Sequence, residues 1–222
     1  MAGGAVPADR KIDGADLSPL LLGRTKESPR EAHYYFSGNR LEATLAPGGD
    51  FCRLPLEAWQ GVLDLNLVGG AFLPCQVFGE TMLAAGRGSI VNIGSLASIT
   101  AMGRGHIAYS MAMGAVVQMT RELSTEWSGR GVRVNAILPA QVVNPGLEAR
   151  MSADPGLRKK FLSGIPTGRL GAPEDIQGLA VFLASDASAW ITGALIPMDG
   201  GNLAMNAGAT RGEWPDTQGT QR

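Results

Sequence analysis

The sequence has only two cysteines, Cys52 and Cys75. Two thiols make no disulfide framework, and without a Cys-x-x-Cys or a Cys/His cluster they form no zinc-type ligand set, so a reducing, cytoplasmic setting is expected. Charge of one sign is also lacking: 19 Lys and Arg against 20 Asp and Glu leave a formal net charge of −1. Without a basic field, nucleic acid and anionic membrane surfaces are poor partners. No window reaches the ~18 uninterrupted apolar residues of a membrane helix. The N-terminus, acidic and proline-bearing, lacks the basic-then-apolar order of an export signal, and the chain reads as neither exported nor membrane-bound. His33 and His106 each stand apart from a second metal ligand.

What is present suits a packed core. With 45% hydrophobic and 18% charged residues in 222, the composition is that of a globular protein, and the length suits one main domain. Residues 1–50 are dense in turn formers, such as Gly3-Gly4, Asp13-Gly14 and Pro47-Gly48-Gly49, around one short apolar run, Leu17 to Leu22. Nothing in them reads as a strand leading into a helix.

Beyond that point the texture becomes periodic. Leu56, Trp59, Val62, Leu63, Leu67 and Gly70 recur at helical spacing, predicting one long helix over 56–83 with a soft middle at Asn66. After the Arg87-Gly88 turn, residues 89–94 form a short apolar run of the kind buried on both faces of a parallel sheet. A second helix is predicted over 109–127, a second buried strand over 132–138 ended by Pro139, and together they make a βαβ crossover. A polar stretch runs from Gln141 to Arg169; Pro173-Glu174-Asp175 then opens a helix to about Leu183, and Gly193 to Met198 supplies a last strand.

Open parallel sheets bind ligands beyond the carboxyl ends of their strands. Ser95, at the end of the 89–94 strand, lies at that edge, and the Gly103/Gly105 loop can return Tyr109 to it. A tyrosine hydroxyl titrates near ~10 and needs a neighbouring cation or strong donors to exchange protons at neutral pH. The residue one helical turn later is Met113, which cannot supply charge. On their own, Ser95 also suits a turn that ends a strand, Tyr109 a core aromatic with a wet hydroxyl, and Asn66 a residue that satisfies a helix kink. The methionines at 102, 111, 113 and 119 suit gap filling.

Asn66, Ile93-Gly94-Ser95, Tyr109-Ser-Met-Ala-Met113 and Asn135-Ala-Ile-Leu-Pro139, followed by Gly168-Arg169-Leu-Gly171-Ala-Pro173-Glu174-Asp175 and Asp199-Gly200-Gly201, resemble the motif series of the short-chain dehydrogenase/reductases over roughly residues 50–205. The resemblance implies an α/β, doubly wound parallel (Rossmann-like) sheet and an NAD- or NADP-dependent exchange between an alcohol and a carbonyl, the substrate being a small molecule of the sugar or sugar-acid kind. It implies Tyr109 as acid/base, Ser95 on the substrate oxygen and Asn66 in a water relay. The cofactor-contacting positions are Met113, Pro139, Ala140, Val142 and Asn144. Met113 stands where the family has lysine, Ala140 where it has the glycine of a Pro-Gly turn, and Asn144 where it often has threonine.

The family's opening strand, Gly-x-x-x-Gly-x-Gly turn and helix have no counterpart in residues 1–50, so the sheet is expected to be truncated at its N-terminal half. Gly103-x-Gly105-x-x-Ala108 reads as a chance match to a dinucleotide pattern. Asp9 to Asn39 instead resembles a piece of an arylsulfatase, without that family's Cys-x-Pro-x-Arg signature. The expected organisation is a foreign, poorly structured segment over 1–43, a partial dehydrogenase domain over 44–206 and a disordered tail over 207–222. The function implied is an impaired oxidoreductase. The alternative is a non-catalytic pseudoenzyme that serves as an oligomerisation partner of a complete relative; helices 56–83 and 109–127 match the surfaces through which the family assembles, and a homo-oligomer through them is expected.

Overall fold

The computed structural model describes residues 51–103 and 105–205; the expected segment 1–43 and tail 207–222 lie outside the described residues. The fold is α/β. A helical run begins with α1 (Leu56–Leu63), continues as a π-helical segment (Asp64–Phe72) and ends as α2 (Leu73–Ala85). The soft middle has a local cause: the Asn66 carboxamide donates to the Val62 carbonyl at 2.9 Å. That carbonyl is the one an α-helix would give to the Asn66 amide, so the side chain displaces a rung of the ladder and the turn widens. Gly70 suits the widened turn, since a Cβ there would stand 3.0 Å from the Leu65 carbonyl oxygen. Gly86, at φ 65°, ends α2 in the left-handed region, its N–H and that of Arg87 returning to Leu83 and Met82.

The run from Leu56 to Ala85 is long and apolar enough to cross a membrane by length and composition, although no 18-residue stretch of it is free of polar side chains. Glu57, Asp64, Asn66 and Glu80 interrupt it, and its Ala71, Cys75 and Gly79 are buried against the rest of the fold.

Strand β1 (Gly88–Ile93) pairs in parallel with β2 (Val132–Pro139), from Gly88 opposite Val132 to Ile93 opposite Ile137. Helix α3 (Ile107–Trp127) makes the crossover between them. Strand β3 (Leu195–Met198) pairs in parallel with the far side of β2, so the order is β1-β2-β3. The core lies on β2, whose Val132, Val134, Ala136, Ile137 and Leu138 are wholly buried.

Helices cover both faces of the sheet. On one face Asn92 of β1 donates to Thr120 of α3 and accepts from Cys75 of α2. Ser89, of opposite parity in the same strand, donates to the Leu183 carbonyl of α6 (Pro173–Ala184) on the other face.

The expected polar stretch between Gln141 and Arg169 holds two further helices, α4 (Pro145–Ala153) and α5 (Pro155–Leu162). Each opens on an Asx cap followed by proline: Asn144 Oδ1 accepts the Leu147 amide and Asp154 Oδ1 the Gly156 amide, both at 2.9 Å. Leu147, Phe161, Ile165 and Leu170 bury one another as a separate cluster beneath them.

Candidate active site

β1 ends where Gly94 donates to the Ile137 carbonyl at 2.9 Å. A Cβ at Gly94 would lie 2.6 Å from Leu138 Cδ2, so a side chain there would displace the buried Leu138 side chain. Ser95 follows in extended conformation and caps a single 3-10 turn, Leu96–Ser98. Its Oγ accepts the Ala97 amide at 3.2 Å, and its own amide donates to Ser98 Oγ at 3.1 Å. This reciprocal cap uses Ser95 Oγ as an acceptor, and no described residue accepts its proton. Leu96, buried with Val117 of α3 and Ala136 and Leu138 of β2, anchors the turn.

Tyr109 is the third residue of α3. Its half-buried ring packs on the cluster of Ala71, Met113 and Val116, together with Leu67 and Met119. The π segment that carries Asn66 is therefore held against the face of α3 that carries Tyr109. The Ser95 turn meets the same helix, since a Cβ at Gly114 would stand 3.8 Å from the Ser98 carbonyl oxygen. Asn66, Ser95, Tyr109 and position 113 are thus all placed on or against one helix.

His106, read in the sequence as an isolated loop histidine, sets its ring edge-on to Tyr109 at 5.9 Å between centroids, 84° between planes. Its Nδ1 lies 3.4 Å from Ser110 Oγ. The spacing of three residues to Tyr109 was the available signal. Ser98 was legible in the same way, as the second serine of a Ser-x-x-Ser cap.

The cofactor-contacting positions split. Met113 is 5% exposed, so the place of an ammonium is filled by packed thioether and methylenes. Pro139 ends β2 opposite Met198, and the Ala140 amide donates to the Met198 carbonyl at 3.1 Å. Val142 bridges to Gly171, and Asn144, besides capping α4, donates to the Val142 carbonyl at 3.1 Å. Ala140, Gln141, Val142, Thr167, Arg169 and Asp199 line an open cleft of about 220 Å³, to which Ser95, Tyr109 and Met113 do not contribute.

The charges beside this cleft are internally matched. Arg169 donates to both oxygens of Asp175 at 2.6 and 2.8 Å, which with the Ala172 amide holds that carboxyl well below the usual carboxylate range. The Asp199 carboxylate accepts the Gly201 and Leu203 amides.

The cleft is smaller than the ~300–1,000 Å³ usual for small-molecule sites. Among the described residues no strand runs through a glycine-rich turn directly into a helix, the arrangement that offers amides to a pyrophosphate. Nor is any group of three or more His, Cys, Asp or Glu side chains among them placed to hold a metal ion.

The family model for enoyl-(acyl carrier protein) reductase matches residues 41–202. D-threitol dehydrogenase of Mycolicibacterium smegmatis is 45% identical over 160 residues, covering 72% of this chain and 58% of that protein. A Xanthobacter autotrophicus protein named inactive 2-(S)-hydroxypropyl-CoM dehydrogenase 2 is 37% identical over 166 residues, covering 73% and 71%. Among solved structures, an assigned NAD(P)-dependent gluconate 5-dehydrogenase from Beutenbergia cavernae, with NADP bound, superposes with a TM-score of 0.66 at 41% identity, covering 72% of this chain and 62% of that one. The chain spans less than two thirds of the length of the threitol and gluconate relatives. On the parallel α/β fold, the arrangement of Ser95 and Tyr109 about one helix and these matches, the chain belongs to the short-chain dehydrogenase/reductase family.

Proposed function

We propose that the chain carries the substrate side of an NAD- or NADP-linked alcohol–carbonyl oxidoreductase of the polyol and sugar-acid kind, with its acid/base step impaired. The observation that carries this reading is the burial of Met113 in the cluster that holds Tyr109. Ser95 keeps a proton to offer a substrate oxygen, and Tyr109 stands on the helix beside it. The position one helical turn after Tyr109, however, is Met113, which brings no charge of its own to the phenol. The relatives named for threitol and gluconate support a polyhydroxylated substrate. Binding of NAD(P) is weak in this reading, since the described residues offer Ala140 and Val142 to the nicotinamide end but no cradle to the pyrophosphate. A small polyol is the partner, with no role for nucleic acid, and the location is cytoplasmic.

Titration calorimetry with NADH and NADPH, followed by turnover assays on polyols and their ketoses, tests the proposal. Weak cofactor binding and negligible turnover are expected. Saturable turnover would overturn the impairment, and tight binding would reveal a pyrophosphate site elsewhere in the chain.

A second reading is a non-catalytic pseudoenzyme that serves as an oligomerisation partner of a complete relative. It is favoured by exposed Val68, Phe72 and Leu73 on the first helical run and Ile107 and Met111 on α3, and by the relative named inactive.

A further inference from the structure

Strand β1 has the character of an interior strand. Between Arg87 and Gly94 it reads Gly-Ser-Ile-Val-Asn-Ile, with no charge and no proline. Helices α2 and α3 hold one face through the Cys75–Asn92–Thr120 hydrogen bonds and α6 holds the other through Ser89. Among the described residues β2 is nevertheless its one ladder partner. Soluble proteins blunt open edges with charge, proline or bulges. The opposite edge follows that rule, because β3 contains Pro197; β1 does not.

The open edge is apolar on both faces of the sheet. Cys75 and Met82 of α2 sit on β1: Cys75 Sγ lies 3.4 Å from Asn92 Oδ1, and a Cβ at Gly88 would stand 2.5 Å from Met82 Sδ. Gly79 turns toward α3, where a Cβ would meet the Trp127 ring at 2.4 Å. Helical spacing then places Phe78 on the other flank of the Cys75–Met82 stripe, away from α3 and over the outer side of β1. Phe78 is exposed, as is Phe182 beside Leu183 on the opposite face, and Ile93 at the strand's end is 53% exposed.

We propose that two copies of this chain pair through β1, antiparallel across a two-fold axis normal to the sheet, joining two three-stranded sheets into one. The occupant is a second copy because the edge complements itself. The two-fold brings Phe78 toward its counterpart on the face that α2 covers. It sets opposite one another, at matching spacing, N–H and C=O groups that have no ladder partner among the described residues, and it opposes no like charges, since β1 has none. This pairing is independent of the oxidoreductase reading and uses a different surface from the helical faces of the second reading.

Sedimentation velocity of the full chain over a range of concentrations tests it, with the variants Ile93→Lys and Phe72→Lys. A dimer is expected, with Ile93→Lys weakening association about tenfold or more while the folded monomer keeps its melting temperature. Phe72→Lys, on the helical face, leaves the dimer intact. A chain that is monomeric throughout, a dimer indifferent to Ile93→Lys, or one lost with Phe72→Lys instead would overturn the proposal. So would a monomer whose melting temperature falls on Ile93→Lys, which would assign the edge to another part of the same chain.

Discussion

Met113 lies one helical turn after Tyr109 and packs with it against Ala71 and Val116, so the tyrosine's axial neighbour is an apolar contact and not a charge. The site is therefore changed in packing as well as in electrostatics. A lysine introduced at 113 would carry its ammonium into a cluster whose other members are Ala71, Val116, Leu67, Met119 and the half-buried Tyr109.

Met113→Lys is accordingly expected to destabilise the fold by about 3 kcal/mol, the scale of an unpaired buried charge, whereas Met113→Leu costs less than about 1.5 kcal/mol. Urea unfolding measures both. The lysine variant alone is expected to show no turnover with NADH or NADPH, because in the proposed reading a cation near Tyr109 does not supply the cofactor's pyrophosphate with a cradle. Recovered turnover would mean that the chain already holds the cofactor.

Gly79 and Gly61 make an opposed pair in the first helical run. A Cβ at Gly79 would stand 2.4 Å from the Trp127 ring, whereas one at Gly61 meets nothing within 4 Å. Gly79→Ala should therefore destabilise by about 1–3 kcal/mol through overpacking, and Gly61→Ala should stabilise by about 0.5–1 kcal/mol through helix propensity. Equal effects of the two in thermal melts would contradict the contact between α2 and α3.

The strands at 88–93 and 132–139 and the helix at 107–127 are legible in the sequence, because continuous apolar runs bounded by glycine and one long periodic segment leave few other folds open. Asn66 amid apolar neighbours is legible as a weak point, although its competition for the Val62 carbonyl depends on a rotamer that sequence does not specify. Helices α4 and α5 escape notice because Asn144-Pro-Gly and Asp154-Pro-Gly are turn signals as well as helix starts, and only burial of Leu147 and Phe161 decides between them. Ser95, Tyr109 and Met113 can be placed at one edge by spacing alone. The cleft cannot, because it depends on Val142 meeting Gly171 across a long loop. His106 stands apart from any second metal ligand in the sequence, and its contacts are with the Tyr109 ring and Ser110 Oγ.

The two thiols should differ sharply in reactivity. Cys52 is exposed; Cys75 is buried, and burial pushes its thiol up against a weaker opposing pull from the Asn92 hydrogen bond. The thiolate is the reactive form, so a disulfide reagent such as DTNB at neutral pH should titrate one thiol rapidly in the native chain and the second only as denaturant opens the fold. Thr120→Val, which leaves the Asn92 amide without its acceptor, should cost about 1–3 kcal/mol and hasten labelling of Cys75. Two fast thiols in the native chain would contradict the packing of α2 on β1.

The pair Arg169–Asp175 fixes a pH dependence of opposite sense to that of a buried base. Asp175 is held well below the usual carboxylate range by the Arg169 hydrogen bonds first and the Ala172 amide second. A carboxyl whose folded value is depressed contributes stability that is complete above its unfolded value, near ~3.9, and is lost as pH falls through the folded value. The melting temperature of the parent chain should therefore exceed that of Asp175→Asn by a constant margin from neutral pH down to about 4, and the margin should shrink below it. Added salt should narrow the gap at neutral pH, because Arg169 is largely exposed and exposed pairs are screened. A margin that persisted unchanged into strong acid would assign the effect to the Ala172 cap at the start of α6 rather than to the ion pair.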